Sequence, residues 1–110
     1  MGQIIDASIE YSPESDVLAL WAEPSREEWE VDPIDGLLCV FRGVDERGKE
    51  TEEIVGIEIV GFRKFKAWGE IPDLPVLWRL PGEKPGRTID VLKHLQSILL
   101  RQSEQAAGIA

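Results

Sequence analysis

Few side chains of this sequence are suited to covalent or acid–base chemistry, and its one histidine is the first to consider. His94 lies three residues before Ser97, a spacing that places both side chains on one side of a helix. A serine nucleophile also needs a third group that orients the histidine, and donors that hold an oxyanion. Neither is recognisable in the sequence, so a surface histidine is the favoured interpretation.

Metal and cofactor sites have equally little support. Zinc and iron sites take several histidine or cysteine ligands, whereas the chain has one of each, His94 and Cys39. The polar run at residues 45–50 lacks the alternating ligands and the closing glutamate of a calcium-binding loop. No glycine pattern typical of phosphate or dinucleotide binding occurs. The sequence therefore predicts no metal and no cofactor.

Glu58 is the carboxylate that best fits an acid–base role, because it lies within a run of β-branched residues. A buried carboxyl group holds its proton more tightly and suits a general acid or base. A carboxylate that faces solvent, or that pairs across a sheet with Arg42, is structural. No complementary carboxylate or nucleophile stands out, which favours the structural interpretation. An enzyme that uses Glu58 or Glu14 as its acid or base is the competing hypothesis.

Aromatic residues indicate where a partner could bind. Phe62, Phe65 and Trp68 recur at every third position with basic residues between them. Basic groups interleaved with aromatic rings can bind single-stranded nucleic acid, but only three positive charges occur here beside an acidic half-chain. Packing of the rings in the core, with the basic groups in solvent, is the favoured interpretation.

Trp29 stands in the acidic stretch 27–32, where no apolar periodicity surrounds it. It is either an exposed anchor for a basic partner or a second protomer, or an aromatic ring folded back over a sheet edge. Trp21 and Trp78 lie in apolar surroundings and are expected in the core or at an interface. The residues predicted to form an interface are Trp29, Phe62, Phe65, Trp68, Leu95 and Leu99.

Charge is distributed unevenly along the 110 residues, which are enough for one domain with a hydrophobic core. Residues 1–61 carry 16 acidic and 4 basic side chains, a net charge of −12, whereas residues 62–110 carry 5 and 8, a net of +3. The acidic part repels nucleic acids and anionic membranes and favours a basic partner or the basic part of a second copy. A lone cysteine and the absence of a signal-like or membrane-spanning stretch predict a cytoplasmic protein.

The first 61 residues show the periodicity of β-strands. Alternating apolar residues predict a strand over residues 4–11, and the uniformly apolar run 17–22 predicts a central strand. Apolar runs at 37–41 and 53–60 predict two more. Because the connections are short, the four strands are predicted to form an antiparallel meander over residues 1–61. Between the first two, Tyr11 to Asp16 reads as a hairpin turn, with Ser12 or Asp16 bonding nearby amides.

The rest of the chain has a different pattern. Residues 62–87 are rich in proline and glycine and predict an irregular segment over the core. Apolar residues at helical spacing then predict a helix over residues 88–105, with Thr88 as its N-cap, packed on the sheet or on a second protomer. The predicted fold class is α+β, as a single domain of residues 1–110.

Four stretches of the acidic part also carry a resemblance to a known family. They are Tyr11-Ser12-Pro13-Glu14-Ser15-Asp16-Val17-Leu18, Gly36-Leu37-Leu38, Asp45-Glu46-Arg47-Gly48 and Val55-Gly56-Ile57-Glu58-Ile59. In order and spacing, about residues 8–61 resemble the small bacterial and archaeal domain of unknown function numbered twenty-two eighty-three, although Ser12 stands where that family usually has aspartate. The resemblance implies a compact β-meander and transfers no catalytic residue. Some members are encoded beside small toxin-like proteins, which implies an antitoxin-like role as a further alternative.

Together these patterns predict a non-enzymatic cytoplasmic protein that acts through protein–protein contacts, as a homodimer or with a basic protein partner. Nucleic acids and membranes are not expected partners. The alternatives are a carboxylate-based enzyme, a small-ligand-binding module and an antitoxin-like protein.

Overall fold

A computed structural model of the chain describes residues 3–23 and 29–109, apart from the side chains of residues 35 and 103–109. The strands are β1 (Gln3–Ser12), β2 (Val17–Ala22), β3 (Trp29–Asp35), β4 (Leu38–Val44), β5 (Glu50–Val60), β6 (Val76–Arg79) and β7 (Gly86–Arg87). Two 3₁₀ turns, Phe62–Lys64 and Trp68–Glu70, separate β5 from β6, and the helix α1 (Thr88–Ile109) ends the described chain. The α+β class with a C-terminal helix is confirmed, and the helix runs past the predicted end at residue 105.

The seven strands form one sheet in the order β3-β4-β5-β2-β1-β6-β7. All four predicted strands are present, but β2 pairs with β5 and not with β4, so the chain does not follow a meander. β6 lies parallel to β1, with Ile5 opposite Trp78. The prediction of a four-stranded antiparallel meander is therefore wrong in the number and the order of the strands. The four predicted strands do pair antiparallel with one another, whereas the sheet as a whole is mixed because β6 pairs parallel with β1.

The additional strands come from segments that were predicted to be connections. β3 alternates Trp29, Val31 and Pro33 on one face with acidic residues on the other, and its charges resemble those of a loop. A proline is tolerated there because β3 is an edge strand. Residues 24–28 of the same predicted connection lie outside the described residues. β6 and β7 fall within the segment predicted to be irregular. With four and two residues, these strands are too short to show the alternation of apolar and polar residues that identifies a strand.

One face of the sheet, called here the helix face, is covered by α1 and the 3₁₀ turns. Leu20, Ile57 and Val40 lie side by side across three strands of this face and are almost fully buried. The helix contributes Val91, Leu92 and Leu95 to the same core. The side-chain amide of Gln96 donates hydrogen bonds of 2.8 Å to the carbonyls of both Phe62 and Phe65. The helix thus packs against its own chain, and no helix among the described residues is long and apolar enough to cross a membrane.

The start of α1 is held by a buried hydrogen bond. The indole Nε1 of Trp78, on β6, donates to Thr88 Oγ1 over 2.9 Å, and both residues are buried. A buried indole N–H without a partner would retain its full desolvation cost. Thr88, predicted to be the N-cap, is the first residue of the helix, and its hydroxyl joins the helix to the parallel strand.

Asp16 joins the β1–β2 hairpin to the end of β5. Its backbone is in the left-handed region with φ of 55°, which aspartate tolerates better than most residues. Tyr11 Oη donates to Asp16 Oδ1 over 2.6 Å, and the amide of Arg63 donates to both carboxylate oxygens at 3.2 and 3.1 Å. The Asp16 carbonyl accepts hydrogen bonds from the amides of Gly61 and Phe62. The predicted hairpin is confirmed, and its acidic residue serves tertiary structure.

The bond between Tyr11 and Asp16 predicts a measurable alkaline titration. Burial, and then the hydrogen bond and charge of Asp16, raise the pKa of Tyr11 above its ordinary value of 10.0. Because this is the one tyrosine of the chain, tyrosinate absorbance reports it directly. We expect the folded protein to titrate at a higher pH than the urea-unfolded chain. The stability gained from the protonated phenol is then complete below pH 10.0 and is lost as the pH rises through the folded value.

The variant Asp16→Asn separates the two causes, because asparagine also tolerates the left-handed backbone. Removing the charge should lower the Tyr11 midpoint while burial keeps it above that of the unfolded chain. A wild-type midpoint equal to the unfolded one would contradict the Tyr11–Asp16 bond.

A second prediction concerns Thr88. Thr88→Val keeps the shape of the side chain and leaves the Trp78 indole without an acceptor, so the free energy of unfolding should fall by about 1–3 kcal/mol in urea denaturation. Thr88→Ser restores the acceptor and should recover most of this loss. Equal losses for valine and serine would indicate that only packing matters at this position.

Candidate binding surface

The second face of the sheet, called here the open face, leaves large apolar side chains in solvent. Val31 is 45%, Trp29 42% and Val60 38% exposed, whereas α1 and the 3₁₀ turns pack against the opposite face. The strand registers define the open face. It carries Glu10, Val17, Ala19, Trp21, Trp29, Val31, Cys39, Phe41, Glu58 and Val60.

Three rings on the open face form an aromatic cluster of Trp21, Trp29 and Phe41. Trp21 stacks on Phe41 with a centroid distance of 4.6 Å, and Trp29 meets Phe41 edge-on at 4.7 Å. The two indoles lie 5.8 Å apart. Phe41 is only 5% exposed, because the indoles cover it on the face opposite to the one that α1 covers. The cluster is therefore a small apolar platform whose outermost ring is Trp29.

Gly56 gives Trp21 the room to lie across the sheet. Gly56 is opposite both Trp21 and Phe41 in the strand pairing. A Cβ at this position would come within 2.7 Å of Trp21 Cε3 and 3.0 Å of the Leu20 carbonyl oxygen. A ring that covers a glycine on the neighbouring strand is a recurrent way to protect such a site in a sheet. The glycine thus determines how the platform is built.

A groove flanked by two carboxylates borders the platform. Glu10, Ala19 and Glu58 are direct neighbours across β1, β2 and β5, so the two glutamates project on either side of a small residue. The groove has a volume of about 250 Å³, and Trp21 forms one of its walls. Its other lining residues are Glu10, Ser12, Ser15, Val17, Ala19 and Glu58. Strands are ~4.8 Å apart, which places the backbones of β1 and β5 roughly 10 Å apart.

The carboxylates of this groove are not neutralised by their neighbours. Arg42, the partner considered for Glu58, bonds instead to Asp32 at 3.0 Å and Glu50 at 3.5 Å. Cys39 is the residue opposite Glu58 on β4. Burial and, to a lesser extent, the charge of Glu58 raise the pKa of the Cys39 thiol, so this cysteine stays protonated and unreactive near neutral pH. Within the described part of the chain, neither Glu10 nor Glu58 has an ion-pair partner.

The structure separates Trp29 from the other residues predicted to form an interface. Phe62, Phe65 and Leu95 are buried in the core under the helix face. Trp68 and Leu99 are half-buried against that core. Trp68 meets Phe65 edge-on at 4.9 Å, and Lys93 lies 5.6 Å from the centroid of its ring. Of the six predicted residues, Trp29 is the one on the open face.

The remaining candidates for chemistry form no catalytic arrangement. The Ser97 hydroxyl donates to the backbone carbonyl of His94, and the His94 ring lies 3.0 Å from Glu83 Oε1. Among residues 3–23 and 29–109, no group of three or more histidine, cysteine, aspartate or glutamate side chains is arranged to hold a metal ion. A larger groove of about 670 Å³ lies beside Asp32 and Arg42, where the arginine is already bonded.

The sequence indicated only part of this surface. Trp29 was identified by its acidic surroundings, and Trp21 was expected in the core or at an interface. Phe41 was not connected to them, because it joins the surface only through the pairing of β4 with β5 and of β5 with β2. Glu10 was not connected to Glu58, because the two meet across Ala19 only through the pairing of β1 with β2 and of β2 with β5. A glycine within the β-branched run of β5 was the one local sign that a ring lies across this strand.

No protein-family model matches the chain, and searches of curated proteins and of solved structures found no match. The resemblance over residues 8–61 thus stays a prediction. Any function must be argued from the surface itself.

The contact between Gly56 and Trp21 predicts an effect of adding one methyl group. Gly56→Ala should lower the free energy of unfolding by about 1–3 kcal/mol, because the Cβ forces Trp21 or the neighbouring backbone to shift. Gly36→Ala is a matched control, since a Cβ there meets nothing within 4 Å. Urea denaturation followed by circular dichroism measures both. A Gly56 variant as stable as the Gly36 variant would contradict the close packing of Trp21.

Proposed function

We propose that this protein is a non-enzymatic, cytoplasmic binding module that holds another polypeptide on the open face of its sheet. The observation that carries the proposal is the aromatic cluster of Trp21, Trp29 and Phe41, whose outer ring is 42% exposed. Tryptophan is enriched among the residues that contribute most to binding at protein interfaces. Exposed apolar patches bordered by polar residues are typical of such surfaces.

The helix face offers less to a partner. Its aromatic residues Phe62 and Trp78 have no exposed surface, and Phe65 has 5%. Using them would require α1 to leave the sheet, with loss of the bonds from Gln96 and Trp78. Binding at the open face needs no such rearrangement, and rigid docking is the usual behaviour of preformed interfaces.

The carboxylate-based enzyme has less physical support than binding. Glu10 and Glu58 flank a groove that is open to solvent, with Glu10 exposed and Glu58 half-buried. A general acid in an apolar pocket keeps its proton because the pocket is closed to solvent, and this groove is open. Three kinds of binding then stay open: self-association, binding of a basic partner and antitoxin-like binding. They differ only in the polypeptide that occupies the open face.

Tryptophan side chains provide the test, because two of the four lie on each face of the sheet. Peptides selected from a random display library against the wild-type protein should shift the indole NMR signals of Trp21 and Trp29, and leave those of Trp68 and Trp78 in place. Trp29→Ser should weaken these peptides by about thirtyfold, a loss of ~2 kcal/mol typical of a central interface tryptophan.

Leu100→Ser is the matched control. Leu100 lies on α1, on the opposite side of the molecule, and is 41% exposed, so this substitution removes an apolar side chain of similar exposure to Trp29. It should leave the peptide affinity unchanged. Peptides that shift the Trp68 signal instead, or that bind Trp29→Ser as tightly as wild type, would place the binding surface elsewhere.

A further inference from the structure

We infer that the open face binds a basic segment of a different protein, with an arginine side chain of that segment lying in the groove between Glu10 and Glu58. This inference rests on the docking function proposed above and specifies the chemistry of the partner. It follows from three features of the open face: where its charges lie, what borders the groove, and what a second copy of the chain would present.

The first feature is a contrast between two rows of the open face, to which Asp6 belongs because alternate residues of β1 share the face of Glu10. Asp6 has Arg79 as its direct neighbour on β6, and the two form an ion pair with a distance of 2.5 Å between Oδ1 and Nε. Glu58 has Ala19 on one side and Cys39 on the other, so its row supplies no cation. Arg79 thus neutralises the charge of Asp6, whereas the negative charges of Glu10 and Glu58 are left without a neighbouring cation.

The second feature is the combination of these charges with an aromatic wall. Trp21 lines the groove that Glu10 and Glu58 flank. A guanidinium group is planar, stacks on aromatic rings and donates hydrogen bonds in two directions to carboxylates. An arginine stem can also cover the small apolar floor formed by Val17 and Ala19. The groove thus fits arginine better than an apolar or acidic side chain.

The third feature argues against a second copy. Two open faces packed together around a two-fold axis through the groove would bring Glu10 and Glu58 of both copies close to one another, on chains that each carry a net charge of −9. Three arginines of the copy are also held by contacts within their own chain. Arg79 and Arg87 pair with aspartates, and Arg63 lies 5.9 Å from the centroid of the Tyr11 ring. A different, basic polypeptide meets no such repulsion.

Two capped hexapeptides test the inference directly. One alternates arginine with leucine, and the other replaces each arginine by citrulline, which has the same shape and no charge. We expect the arginine peptide to bind about tenfold more tightly, to shift the Trp21 and Trp29 indole signals, and to lose affinity as salt is raised. Glu10→Gln and Glu58→Gln should each lower its affinity about fivefold or more, and the citrulline peptide should be indifferent to both.

Glu70→Gln is the matched control, because Glu70 is exposed in the second 3₁₀ turn and the change in net charge is the same. An equal loss of affinity for the arginine peptide with this variant would mean that overall charge attracts the peptide. That result would overturn the assignment of the arginine to the groove. Equal binding of both peptides at Trp21 and Trp29 would overturn the arginine preference and leave the docking function standing. No response of these two signals to either peptide would also overturn the inference, while the docking function is judged by the display-selected peptides.

Analytical ultracentrifugation of the wild type and of the variants Glu58→Gln and Trp29→Ser tests whether a second copy of the chain occupies the open face. A wild-type monomer is expected, because the two glutamates repel a second open face. A dimer that Glu58→Gln strengthens and Trp29→Ser dissolves would identify a second copy as the occupant and overturn the inference.

Discussion

The pairing of β2 with β5 is the contact on which both faces of this protein depend. It joins segments separated by about a third of the chain and places them at the centre of the sheet. On the helix face it sets Leu20 beside Ile57 in the core. On the open face it sets Trp21 over Gly56 and Ala19 beside Glu58. A shift of this register by one residue would exchange the two faces, which the buried core does not permit.

Features of the fold that depend on residues close in the sequence could be predicted, whereas those that depend on pairing between distant segments could not. The hairpin at Asp16 and the helix from Thr88 have local signatures and were predicted from them. The position of β4 outside β5 depends on long-range pairing, which periodicity does not encode. β3 was missed because three of its seven residues are acidic. Helical spacing identified Leu95 as an apolar contact without showing whether that contact lies within the chain or between chains, and the structure places it in the chain's own core.

Stability and exposure are divided between the two faces of the sheet. The helix face contains the largest fully buried side chains, among them Trp78 and Phe62. The open face packs only a small cluster, in which two indoles cover Phe41. Because the helix face supplies the core, substitutions at the rim of the open face cost little folding energy. The proposed recognition role of Trp29 and Glu10 therefore makes little demand on stability, as expected of a binding surface on a rigid scaffold.

The negative charge of the open face also opposes the self-association that its exposed apolar platform favours. An exposed sheet face beside an edge strand is prone to self-association. Pro33 interrupts the hydrogen-bonding edge of β3, and the uncompensated carboxylates of Glu10 and Glu58 repel an identical face. In the proposed complex, the same two charges would attract a basic segment from a distance and orient it as it approaches. Under the proposed function, one pair of side chains would exclude a second copy and favour a basic partner, so specificity at this face would come from repulsion as much as from contact.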